Sequence, residues 1–305
     1  MSQPDAPPAK PLYFKSRRRS SAFSGLSSAF IPRSFKICEV SINLLINPPS
    51  ERCPVVELHD SAVDVKHLLN VLYNPLLFSE KTVTLSFVAA IVRMGPKYEF
   101  KELLAAALQR LTDENPTTLD EYENLTNEDG ISYTSTRIIH YRNMSFDVIT
   151  LARENGLLTV LPCAYLRAIL YTNLEQLLDG FYRANKPLIT LCFEEQRICI
   201  SGQQKTIEAQ WTHRDLWDWL NSDLCADSCT DKDSCVQKKK LLFRNLVLKG
   251  YPLVPFRLGP DHSLRLCVAC QRHHANIIAQ GRKKLWEDLP SFFDLPPWAE
   301  LRNDL

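Results

Sequence analysis

From residue 55 onward the apolar positions of this chain recur at spacings of three and four, and only one short run has the pattern of a strand. Val55-Val56-Glu57-Leu58 is β-branched and follows a proline, which predicts a strand of about four residues. Ser61 then offers a capping oxygen, with Asp64 three positions on. Behind it Val65, Leu68, Leu69, Leu72 and Tyr73 share one helical face, and Asn74-Pro75 stops the helix. A second helix carries Phe87, Val88, Ile91, Val92 and Met94 and ends at Gly95-Pro96. A third carries Leu103, Leu104, Ala107, Leu108 and Leu111 and ends before Pro116.

The rhythm then fails. Asp113, Glu114, Asp120, Glu121, Glu123, Glu128 and Asp129 crowd the stretch from Asp113 to Gly130, and their mutual repulsion predicts an exposed loop long enough to mark a domain boundary. Helical spacing resumes after Ser145, a candidate N-cap, with Phe146, Ile149, Leu151 and Ala152, and Gly156 is placed to end that helix. Leu157–Leu161 and Pro162 open another helix, with Tyr165, Leu166, Ile169, Leu170, Leu174, Leu177 and Leu178 along it. A further helix takes in Ile198, Ile207, Trp211, Leu216 and Trp219-Leu220, with Gly202 as a weak point inside it. Residues 1–34, rich in Ser, Pro and Arg, read as a mobile tail. In the tail Lys15 and Arg17-Arg18-Arg19 form a short basic run, either a solvated patch or a nuclear localisation signal. The apolar segment Ile37–Ile46 is a strand or a helix. The expected fold class is therefore mainly α with a minor β part, and no internal repeat is present.

Composition narrows the classes of function. Lys+Arg number 36 against 35 Asp+Glu, so the chain lacks the cationic excess of a protein that coats nucleic acid. Hydrophobic residues make up 45%, enough for a packed core. No run of about 18 apolar residues offers a membrane span, and the first residues lack the apolar core of a signal peptide. An intracellular protein, cytoplasmic or nuclear, is expected. Its ten cysteines then sit in a reducing compartment, where clusters point to metal more than to disulfides. The nine glycines are never closer than nine residues apart, which excludes G-x-G-x-x-G, P-loop and G-x-S-x-G motifs. There is no H-E-x-x-H, and no carboxylate pair or Ser/His set stands out, so no catalytic residue is assigned. His59 and His67, flanking a helix start, read as surface or capping groups.

The chemical signal lies late in the chain. Cys225, Cys229 and Cys235 fall within eleven residues, and Cys267-Val268-Ala269-Cys270 follows about thirty residues later, with His273 and His274 beyond. Two thiolates separated by two residues grip one face of a zinc ion and a second pair closes the tetrahedron. The second pair is Cys229 with Cys235, or Cys225 with Cys229, whose spacing is the more usual. His273 or His274 is a further candidate in place of a thiolate, although adjacent histidines on a helix are more often exposed. The competing reading is ordinary buried or free thiols. Cys38, Cys53, Cys163, Cys192 and Cys199 are scattered and read as structural. Four thiolates saturate zinc, so such an ion would hold shape and not react. A nucleobase deaminase is excluded because no H-x-E precedes the C-x-x-C and Leu266 stands where its proline would be. Lys238–Lys240 reads as a solvated face. Phe292, Phe293 and Trp298, set among prolines that keep the segment extended, either pack back on the helices or form a short partner-binding motif.

The stretches "CPVVELHDSAVDVKHLLNVLYNP" and "VAAIVRMGPKYEFKELLAAALQRL" resemble the second half of a BTB/POZ domain, with Lys97-Tyr98-Glu99-Phe100-Lys101-Glu102-Leu103 matching its "kYef..L" turn. "FDVITLARENGLLTVLPCAYLRAI" and "GRKKLWEDLPSFFDLPPWAEL" are similar to BTB-containing proteins abundant in mushroom-forming fungi. The resemblance spans about residues 51–305. It implies a division into an atypical or disordered segment 1–50, a partial BTB/POZ-like domain 51–117, an acidic linker 118–144, a helical bundle 145–222 and a Cys-rich zinc-stabilised subdomain 223–305. A whole BTB domain opens with a β-hairpin and a helix, and residues 1–50 carry nothing of that form, which leaves homo-oligomerisation through the usual BTB face dependent on that face being complete. The C-x5-C followed by basic residues recurs in the similar sequences, which selects Cys229, Cys235, Cys267 and Cys270 as the ligands of a structural zinc. The implied function is a protein–protein interaction module, a BTB-type adaptor or scaffold for a cullin-type ubiquitin ligase. The alternatives are a zinc-stabilised nuclear transcriptional regulator and, more remotely, a zinc hydrolase.

Overall fold

A computed structural model of the chain describes residues 12–16, 19–23, 55–126, 133–183, 188–212, 219–248 and 266–304. Among them the protein is mainly helical, as its spacing predicts. Segment Ile37–Ile46, Cys38, Cys53, Arg17, Arg18 and Leu216 lie outside the described residues. The chain divides into two compact units, Met1–Leu111 with Arg137–Ile139, and Thr112–Thr136 with His140–Leu305.

In the first unit, strands β1 (Leu12–Ser16) and β2 (Arg19–Phe23) pair antiparallel, and β3 (Val55–Glu57) lies parallel to β1, giving the order β2-β1-β3. At residues 12–16 and 19–23 the chain forms strands where a mobile tail was expected; the rest of residues 1–34 lies outside the described residues. Leu12-Tyr13-Phe14 is a bulky, aromatic-rich run with strand preference, and Lys15 and Arg19 of the basic run sit inside the hairpin. Helix α1 (Ala62–Tyr73) starts where Ser61 accepts a bond from the Asp64 amide at 3.5 Å and stops at Asn74. The Asp64 carboxylate turns instead to Arg93, 3.6 Å away. Helix α2 (Leu85–Met94) packs on α1. Leu68 and Leu69 of α1 are buried with Met94, Tyr98 and Phe100, so the two aromatics of the "KYEF" turn belong to the core. Asp60 accepts from Lys97 Nζ at 2.6 Å and from Tyr98 Oη at 2.6 Å. Burial alone would raise its carboxyl, but these two donors outweigh that and hold it below the usual range. Helix α3 (Lys101–Glu114) carries Arg110, whose guanidinium donates to the carbonyls of Phe78, Glu80, Lys81 and Arg137 and so ties the 78–81 turn to residue 137.

In the second unit residues 113–126 of the acidic stretch, the part that is described, are not an exposed loop. Helix α4 (Leu119–Asn124) forms in it, capped by Thr118, which accepts from the Glu121 amide. Asp120 and Glu121 fall in its first turn, where carboxylates meet the positive end of the helix dipole. Tyr122 and Leu125 are buried, and the Tyr122 ring lies 5.0 Å from that of Trp286. Helix α5 (Met144–Glu154) ends at Gly156, whose φ of 63° is the left-handed conformation expected of it. Helix α6 (Leu161–Tyr171) packs on α5 and is buried along nearly its whole length. It does not continue through Leu178. Thr172 is extended, and Asn173 with Gln176 forms a capping box that starts α7 (Leu174–Asp179). A two-stranded ribbon follows, β4 (Phe181–Tyr182) with β5 (Leu188–Ile189), and then α8 (Phe193–Thr212). Gly202 does not interrupt α8. Its missing Cβ leaves room for the ring of Phe293.

Helices α9 (Lys232–Leu248) and α10 (Val268–Phe292) complete the unit, with α10 packed along α8. The expectation that prolines keep residues 290–298 extended fails at Pro290, which lies within α10. Proline has no N–H to bond the carbonyl four residues back. That carbonyl belongs to Trp286, and Trp298 Nε1 bonds it instead at 2.7 Å. Phe292 and Phe293 are buried, and the Trp298 ring stacks on Trp286 at 5.7 Å, so this segment packs back on the helices. The end of the chain is strapped to the α5–α6 link, where Asn303 Oδ1 accepts from the amide and hydroxyl of Thr159. No helix among the described residues is long and apolar enough to cross a membrane.

Candidate metal centre

Two helix starts and one turn bring four thiols together. Asp231 accepts from the amides of Ser234 and Cys235 and so fixes the first turn of α9, placing Cys235 on its inner side. Cys229 sits in a turn closed by its own amide on the Ala226 carbonyl at 2.9 Å. Cys267 is the N-cap of α10, with extended backbone, and Cys270 lies in the first turn, so both sulfurs reach the same side. The sulfurs of Cys229, Cys235, Cys267 and Cys270 all lie within 4.8 Å of one another. Cys267 Sγ is 3.7 Å from Cys229 Sγ, and the Cys267 amide is 3.5 Å from Cys235 Sγ. Zinc–thiolate bonds of about 2.3 Å put the sulfurs of a tetrahedron about 3.8 Å apart, close to that separation. These four residues can therefore hold a metal ion, and zinc fits the donor set.

The electrostatics differ from thiol to thiol. The Cys270 amide, and then that of Thr230, stabilise the Cys267 thiolate and bring its pKa down to about 6. Burial pushes Cys235 and Cys270 up. Holding a metal ion requires these thiols to give up their protons, so binding releases protons and strengthens as pH rises.

The remaining candidates are placed nearby but outside the quartet. Cys225 directs its thiol to the Lys232 carbonyl at 3.8 Å. His273 is exposed and edge-on to Trp219. His274, expected on the surface, is buried and stacks on Trp219 at 5.1 Å, and burial first, then Lys239 and His273, take its pKa down to about 4. Of the scattered cysteines, Cys163 and Cys199 are buried as structural thiols are, whereas Cys192 is exposed.

Lys239, like His274, was expected on the surface and is buried. Lys238 and Lys240 are exposed as expected, but Lys239 is 0% exposed. It lies one helical turn after Cys235 on α9. Its ammonium donates to the carbonyls of Trp219 (3.1 Å), Ser222 (3.0 Å) and Leu224, and sits 4.3 Å over the Trp219 ring. Burial lowers its pKa, and the thiols of Cys225 and Cys270 oppose that shift. Lys239 thus pins the chain just before Cys225 and Cys229 and places a cation near Cys235 and Cys270, which become anionic on binding metal. The Lys239→Met variant is expected to bind zinc about 10–100-fold more weakly, the usual effect of removing an outer-shell partner. Competition with a chromophoric chelator measures this. Lys238→Met is the control and leaves affinity unchanged.

No protein-family model, curated protein or solved structure matches this chain.

Proposed function

We propose that this protein is a non-enzymatic adaptor or scaffold of the BTB/POZ type, with a structural zinc held by Cys229, Cys235, Cys267 and Cys270. The observation that carries the reading is the convergence of four thiols on one point among the described residues. Four thiolates fill the coordination of zinc and leave no position for water or substrate, so the ion shapes the helices that surround it. The β2-β1-β3 sheet supports the BTB part, because a hairpin is the element such a domain begins with. Exposed apolar side chains favour other proteins as partners. Leu174 and Leu178 lie one turn apart on the same face of α7, and Tyr182 and Phe193 are 79% and 81% exposed.

The partner class we favour is a cullin-type ubiquitin ligase, a step that rests on analogy of fold. Association with a purified cullin, measured by interferometry on the full chain, is the test. Binding that weakens when Phe193 and Leu174 become aspartate supports an adaptor. A failure to bind any cullin removes the ligase from the reading. The nuclear regulator reading needs the basic tail and Lys238–Lys240 to act together on the surface, and Lys239, the middle of that run, is buried. The hydrolase reading needs an open coordination site, and cobalt substitution separates it: a four-sulfur spectrum supports the structural ion.

A further inference from the structure

A cavity of about 450 Å3 in the second unit, separate from the thiol quartet, is lined by Asn115, Tyr133, Asn143, Met144, Val148 and Arg167 among others. That is the size of a site for a small organic molecule. Arg167, from α6, is only 5% exposed. Its Nη1 is fixed, donating to the Glu114 carbonyl and to Asn115 Oδ1 at 3.4 Å. Its Nε and Nη2 find no partner among the described residues. These two nitrogens form the side-on fork of the guanidinium, whose parallel N–H bonds match the two oxygens of a carboxylate.

Two neighbours are left in the same condition. Asn143, 7% exposed, has no partner for Nδ2 among the described residues, and neither has the Tyr133 hydroxyl. The Tyr133 ring centroid lies 3.8 Å from Arg167 Cζ, so the ring covers a face of the guanidinium and leaves its edge to a ligand. Three lining residues thus hold four unpartnered donor groups. Buried polar groups are almost always satisfied, so a convergent set of donors calls for an acceptor. Arg142, which is exposed, adds a second cation to the lining. Glu114 supplies its Oε1 to the amide and hydroxyl of Thr136. Met144, Val148 and the Tyr171 ring give the cavity an apolar wall.

We propose that this cavity binds a small organic carboxylate, with its two oxygens on Nε and Nη2 of Arg167, further bonds from Asn143 and Tyr133, and its apolar body against Met144 and Val148. The inference is independent of the metal centre. It is tested on the full chain by calorimetric titration with phenylacetate, phenylacetamide and inorganic phosphate. Phenylacetate is expected to saturate one site with a Kd below about 1 mM. The uncharged amide is expected to bind at least about tenfold more weakly, because it cannot take both fork bonds as an anion. Arg167→Lys, which keeps the charge but loses the fork, is expected to reduce affinity by a similar factor with unchanged circular dichroism. Should that variant not fold, the acid–amide comparison on the unaltered chain decides. Equal binding of acid and amide, no saturable binding of the acid, or phosphate binding as tightly as phenylacetate would each overturn the proposal.

Discussion

With Cys267 and Cys270 both replaced by serine, the purified chain will carry no zinc, whereas the unaltered chain will carry one ion per molecule. The expectation follows from the way the two helices are held. From Cys267 to Gln280 helix α10 buries little besides Cys270 and His274, while from Gly281 onward Arg282, Leu285, Trp286, Leu289 and Phe292 are buried. The first half of α10 therefore lacks an apolar stripe wide enough to hold it, and a short isolated helix is marginal in water. Structural zinc contributes on the order of 10 kcal/mol in small domains, far more than the residual packing around this site. Loss of the ion should melt residues 219–248 and the first turns of α10 and leave the C-terminal half of α10 in place. Hydrogen exchange measures this directly. Amides of 232–245 and 268–279 lose protection in the double variant or after chelation, and those from 283 to 292 keep it. Cys225→Ser serves as control and keeps both the ion and the protection, since Cys225 is outside the quartet. Zinc content that survives the double substitution would refute the assignment of ligands.

The quartet was within reach of the sequence because thiols are rare and their spacing is constrained by coordination chemistry. The helix start that aims Cys235 was not anticipated, although Asp231, four residues before it, is a residue type that favours a helix start. What spacing alone left open was the choice between Cys225 and Cys235, since a turn of either length can present a sulfur. The structure separates them through the helix. Cys235 lies inside the first turn of α9, and Cys225 precedes the turn closed by Cys229.

Lys239 was illegible for a different reason. In a run of three lysines each has the same composition-level expectation, and only helical phase distinguishes the one that faces inward. The phase was available, since Lys239 lies four residues after Cys235, but the carbonyls that make its burial tolerable come from Trp219, Ser222 and Leu224, which no local pattern announces. Charge likewise misled the reading of residues 113–130. Repulsion among carboxylates predicts a loop, yet Thr118, Asp120 and Glu121 are also the residues that favour a helix start, and the buried Tyr122 decides between them. The Asn173–Gln176 capping box carried a readable signal that the leucine spacing around it concealed. The cavity at Arg167 draws on Asn115, Tyr133, Asn143 and α6, which are too far apart in sequence for any motif to join them.

Gly202 gives the second large effect, and it depends on a single ring. A Cβ built on Gly202 would lie 2.3 Å from Phe293 Cε1 and 2.4 Å from Cδ1, with the Phe292 carbonyl oxygen at 3.2 Å. Phe293 is fully buried and stacks on Tyr165 at 5.1 Å, so its ring has no free space into which to retreat. Glycine in a helix interior costs about 1 kcal/mol relative to alanine, so Gly202→Ala would stabilise α8 if nothing opposed it. Overpacking a rigid site costs about 1–3 kcal/mol, and a contact this short belongs at the upper end, so the net expectation is a destabilisation of about 2 kcal/mol. Phe293→Ala should cost about 3–5 kcal/mol through the cavity it leaves beside Tyr165. In the double variant the new methyl enters part of that cavity and the helix propensity of alanine is recovered. The two losses should then fall short of additivity by about 2 kcal/mol, the coupling expected of side chains that occupy the same space. Urea unfolding of the four proteins gives the cycle. Strict additivity would mean that α8 and the end of α10 do not meet at this point, and that Gly202 is merely a tolerated weakness in the helix.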